Sequence, residues 1–85
     1  MTMELGSTRE KFLEGVRWAQ CAAYLGLDVE RVQFTAYRYE RRDGVNFIRT
    51  FYALDDGTVV KRLTSKGFAQ ATAQETAEVL DLRPS

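Results

Sequence analysis

The chain of 85 residues contains no histidine. That absence removes Ser-His-Asp and Cys-His catalysis, the usual zinc ligand sets and the commonest general base. Cysteine occurs once, as Cys21, so neither a Cys-x-x-Cys site nor an intrachain disulfide can form. A reducing, cytoplasmic setting is the expectation. Proline also occurs once, as Pro84, and leaves the rest of the chain free of forced breaks. No apolar run approaches the ~20 residues that span a bilayer. The opening stretch MTMELGSTRE has no basic region followed by an apolar one, so no signal peptide is expected. Gly-x-Gly-x-x-Gly and Walker patterns are missing too. Charge of one sign is not in excess, because twelve Lys and Arg balance twelve Asp and Glu.

These absences leave little chemistry for an enzyme. Asp55-Asp56 is the obvious carboxylate pair, but it precedes Gly57 and reads as turn chemistry. Glu75 and Glu78 stand one helical turn apart and read as a solvated face. Cys21, among Ala19, Ala22 and Ala23, reads as a small buried hydrophobe. The expectation is a protein without catalytic residues, cofactor or metal.

What the chain does have is aromatic content, 12%, and a patterned distribution of charge. Residues 1–30 carry three basic and five acidic side chains, residues 31–66 eight and four, and residues 67–85 one and three. A basic middle between acidic flanks can orient a partner even at zero net charge.

Residues 1–6 are expected to be a loose tail and 7–83 a single α+β domain. Ser7 with Glu10 fits a capping box, and a helix is predicted from Thr8 to Leu25, closed by Gly26. Phe12, Val16, Ala19 and Ala23 make its core stripe. Trp18, Cys21, Ala22 and Leu25 make a second apolar side. Arg31–Arg41 alternates, with Val32, Phe34 and Ala36 on one face and Gln33, Thr35, Tyr37 and Tyr39 on the other. Val45–Leu54 and Thr58–Leu63 complete a meander, with turns at Arg42-Asp43-Gly44 and Asp55-Asp56-Gly57. A last helix covers Ala73–Leu82 and starts either at Ser65-Lys66 or at the Thr72…Glu75 capping box. The predicted architecture is α-β-β-β-α, a three-stranded antiparallel sheet with both helices on one face.

That order, together with Ser65-Lys66 followed by Ala69, Ala73 and Ala77, resembles the double-stranded RNA-binding domain. The resemblance implies phosphate contacts at the start of the second helix. The family's further lysines fall on Gly67 and Gln70, leaving Lys66 as the only cation there.

Two surfaces are candidates for binding. On the sheet face turned away from the helices, Tyr37, Tyr39 and Arg41 are expected outward, joined by Phe51 with Arg49 (or else Tyr52) and by Arg62 or Lys61; Arg42 lies at the turn. Aromatics mixed with arginines suit protein hot spots and also stack bases. The second surface is the apolar side of the first helix, anchored by Trp18 with Leu25. The functional expectation is a small interaction module, an adaptor or stoichiometric inhibitor of the kind mobile genetic elements encode. Its partner is another protein or a second copy of the chain. Nucleic acid, reached through the basic sheet or Lys66, is the alternative.

Overall fold

A computed structural model describes residues 2–19, 24–63 and 67–84. In chain order the elements are β1 (Glu4–Thr8), α1 (Arg9–Trp18), a 3-10 turn (Val29–Arg31), β2 (Val32–Arg42), β3 (Val45–Leu54), β4 (Val59–Arg62), β5 (Phe68–Gln70) and α2 (Ala73–Leu80). The strands form one antiparallel sheet in the order β1-β2-β3-β4-β5. Five strands replace the three expected from sequence. The two extra ones are short edges, one running across the expected tail and helix start and one in the stretch before the last helix. No helix among the described residues is long and apolar enough to cross a membrane.

The central hairpin forms where its residues dictate. β2 and β3 are rich in aromatic and β-branched side chains. Their two-residue turn places Asp43 at φ 52° and Gly44 at φ 79°. Positive φ at both central positions is the twist-matched turn that Asp-Gly favours. At the next turn Gly57 takes φ 86°, and the Thr58 N–H donates to Asp56 Oδ1 at 2.9 Å. Arg31 ties this turn down through Asp55 at 3.0 Å and Asp56 at 2.7 Å.

The helices lie on opposite faces of the sheet, not on one. Phe34, Ala36, Phe51, Ala53 and Val59 pack with Val79 of α2. Val32, Tyr52 and Leu54 pack with Phe12 and Val16 of α1. A bulge makes this division possible. Val32 pairs with Leu54 and Phe34 with Ala53, so Gln33 is an extra residue without a registered partner. Val32 and Phe34 therefore face opposite ways, although strict alternation put them together. β3 carries large apolar residues on both sides because both sides are covered.

α1 is shorter than predicted. Phe12 and Val16 bury the expected stripe, but the helix ends at Trp18 and Ala19 is exposed. Ser7 is not its cap. The Ser7 hydroxyl lies 2.8 Å from Thr35 Oγ1, and Ser7 belongs to β1. At α2, Thr72 and Glu75 form the reciprocal capping box, which resolves the open choice of start. Ala69 consequently lies in β5, while Ala73 and Ala77 lie in α2. Ser65, Lys66, Cys21, Ala22 and Ala23 lie outside the described residues.

Candidate interaction surface

The β2–β3 hairpin outruns the rest of the sheet. β1 is registered on β2 only as far as Tyr37, and β4 on β3 only as far as Phe51. Pairing between β2 and β3 continues through Arg38↔Arg49, Tyr39↔Ile48, Glu40↔Phe47 and Arg41↔Asn46 to Arg42↔Val45. Residues 38–50 thus form a two-stranded arm with no registered third strand on either side among the described residues. Two strands alone are marginal in water, so this arm depends on contacts at its base.

Those contacts are on the α2 face. Arg38 Nε donates to Glu40 Oε2 at 2.6 Å and Arg38 Nη2 to Glu75 Oε2 at 2.7 Å. Lys61 Nζ donates to Glu75 Oε1 at 3.0 Å. Arg49 lies 3.5 Å from Glu40 and donates to the Arg62 carbonyl at 2.6 Å. The Arg38 guanidinium also sits over the Phe51 ring. Burial alone pushes the Glu75 carboxyl up. The Thr72 N–H, Lys61 and Arg38 outweigh it and hold the group down to about 2. Strand, arm and helix are therefore joined at one carboxylate.

The opposite side of the arm is open. Tyr37, Tyr39 and Arg41 line it from β2, with Asn46, Ile48 and Thr50 opposite them on β3. Tyr37 and Tyr39 meet edge to face at 5.7 Å. Tyr39 is 56% exposed, Ile48 54%, and Val45, near the tip on the other side, 64%. Arg41 and Arg42 are exposed and have no ion-pair partner among the described residues. Tyr37, Tyr39 and Arg41, expected outward from sequence, share this side of the arm, whereas Arg42, exposed at the tip and paired with Val45, faces the other. They are accessible because the arm runs past α1, not because one sheet face lacks a helix.

Of the six other candidates, five fall elsewhere and one lies outside the described residues. Phe51 is fully buried and Arg49 nearly so, both turned toward α2; the alternation puts Tyr52, not Phe51, on the side of Tyr37. Arg62 is on that side but folded into the α1 cluster. Its guanidinium lies 4.7, 5.3 and 5.7 Å from the centroids of Tyr24, Phe68 and Tyr52. Trp18, 83% exposed, and Leu25, 71% exposed, flank the undescribed residues 20–23. Lys66 lies outside the description. Ile48 and Val45 were not singled out from sequence; the Asp43-Gly44 turn, which marks the arm's tip, is the signal that points to them.

Among the described residues no group of His, Cys, Asp and Glu side chains could hold a metal ion. No protein-family model, curated protein or solved structure matches the chain.

Proposed function

We propose that the protein is a small non-catalytic interaction module that engages another protein through its β2–β3 arm, in the manner of an adaptor or a stoichiometric inhibitor. The supporting observation is the arm itself: a hairpin extended beyond its sheet, with unpaired edges and exposed Tyr39 and Ile48. Free strand edges template pairing with another chain. An exposed tyrosine opposite a β-branched residue, with Arg41 on the same face, is the composition of an interface hot spot. A second copy of the chain is one such partner, since zero net charge removes the repulsion between copies.

The test is photo-crosslinking from position 39 with the intact chain, followed by affinity measurement with the captured partner or with the chain itself. Tyr39→Ala is expected to cost about 2 kcal/mol of partner binding with little salt dependence. Nucleic acid is the outcome that would displace this reading. In that case anisotropy of labelled RNA or DNA would show binding at physiological salt, and Arg41→Ala or Arg42→Ala would each lower the salt slope by about one.

A further inference from the structure

At the foot of the arm, on the α1 side, Ser7, Phe12, Tyr24, Thr35, Thr50, Tyr52 and Arg62 enclose an open pocket of about 310 Å³. Among the described residues its lining contains one charge, the Arg62 guanidinium, and no carboxylate. Arg62 is half-buried, and among the described residues only the Nε–H of its five N–H donors is engaged, donating to Tyr52 Oη at 3.1 Å. Three aromatic rings, of Tyr24, Phe68 and Tyr52, surround the guanidinium with their centroids within 5.7 Å.

The contrast with the other partly buried cations is informative. Arg31, Arg38, Arg49 and Lys61 each meet a carboxylate. Arg9 has no salt bridge, but it donates to the Val32 carbonyl and shares its groove with Glu10 and Asp55. Among the described residues Arg62 alone combines partial burial, an acid-free pocket and donors left over. A desolvated guanidinium is costly without a counter-ion, and its fork matches the two oxygens of a carboxylate or phosphate. Thr50 adds a hydroxyl, and of the Ser7 and Thr35 hydroxyls, which bond each other at 2.8 Å, one keeps its proton for a further oxygen.

We infer that this pocket is an oxyanion site, taking one phosphate or carboxylate group against Arg62, with the aromatic rings as its walls. The inference is independent of the arm, and its failure would leave the arm's role untouched.

The experiment is an NMR titration of the ¹⁵N-labelled chain with inorganic phosphate and, separately, with acetate, at ionic strength matched by sodium chloride. Saturable shifts are expected at Arg62 Nε–H and at the Ser7, Thr35 and Thr50 amides, with half-saturation on the order of 1 mM. Arg62→Gln should raise that concentration at least tenfold. Thr50→Val, which keeps a β-branched side chain in β3, should raise it several-fold and keeps the test decisive if Arg62→Gln does not fold. Saturation by phosphate alone would assign the site to phosphorylated ligands, and saturation by both would assign it to carboxylates as well. Shifts that chloride reproduces, no saturation with either anion, or affinity unchanged by both substitutions would overturn the inference.

Discussion

Glu75 is the residue on which most of the polar structure converges. It is 6% exposed, caps α2 through the Thr72 N–H and receives Arg38 and Lys61. The two roles can be separated, because glutamine also serves at this position of a capping box. Glu75→Gln keeps the cap, leaves Lys61 without its carboxylate and leaves Arg38 with Glu40 alone. It is expected to destabilise by about 3 kcal/mol at neutral pH, the cost of breaking a buried pair from one side. Thr72→Ala removes only the cap and should cost about 1 kcal/mol. The pH dependence follows from the same contacts. The carboxyl sits near 2 in the folded chain against an ordinary 4.5. On acidification the unfolded chain takes up this proton first. Stability from Glu75 is therefore complete above pH 4.5, declines below it and is gone near pH 2. Urea melts at pH 7, 4 and 2.5 should show Glu75→Gln approaching the parent chain as pH falls. A constant gap across that range would mean the ion pairs contribute nothing.

Among the elements, β2 shows how far a local reading reaches. Its extent, its partner strand and both hairpin turns follow from alternation and from Asp-Gly, all of which are short-range signals. β1 and β5 do not announce themselves. ELGST holds one large apolar residue and imitates a capping box, and Phe68–Gln70 is three residues long. Such edges exist only because a neighbour offers an unpaired ladder, which is non-local information. The bulge at Gln33 is equally silent, yet it decides that the helices take opposite faces. It also yields a prediction that runs against intuition. Deleting Gln33 would bring Val32 next to Phe34 in a regular strand, with both cross-strand partners, Leu54 and Ala53, unchanged. Each side chain keeps its face, so the loss should stay near 1 kcal/mol. Deleting Thr35 removes one residue from regular pairing and sets Phe34 and Ala36 on opposite faces. Burying Phe34 and Ala36 together then becomes impossible, and several kcal/mol should go. Denaturant melts of the two deletions compare directly; equal losses would mean the bulge is not what sets the faces.

For the whole molecule, the long hairpin is both spine and hazard. β2, at 11 residues, spans roughly 33–36 Å at ~3.3 Å per residue, as much as the longest dimension of the protein, 33 Å. The candidate site was legible in part for that reason: Tyr37, Tyr39 and Arg41 sit where the alternation put them. What sequence could not convey is that the other strands stop short. The two exposed edges of the arm are not equivalent. Along β2 the edge reads Arg38-Tyr39-Glu40-Arg41-Arg42, and two copies paired antiparallel about Glu40 would set Glu40 against Glu40 and Arg38 against Arg42. Like charges directly opposite are destabilising, so this edge is guarded. Along β3 the edge reads Val45-Asn46-Phe47-Ile48, with no charge at all. The chain is neutral overall, with a pI of 6.2, so little long-range repulsion keeps copies apart near that pH. Self-association is therefore expected to grow with concentration, to be strongest near pH 6 and to run through the β3 edge. Ile48→Lys places a charge on that edge and should abolish it, while Arg42→Ala, which removes a guard from the other edge, should leave it intact or increase it. Sedimentation velocity over a hundredfold concentration range distinguishes the cases. Association unaffected by Ile48→Lys but lost with Trp18→Ala would move the contact to the end of α1, and a strict monomer throughout would reserve the β3 edge for a different protein.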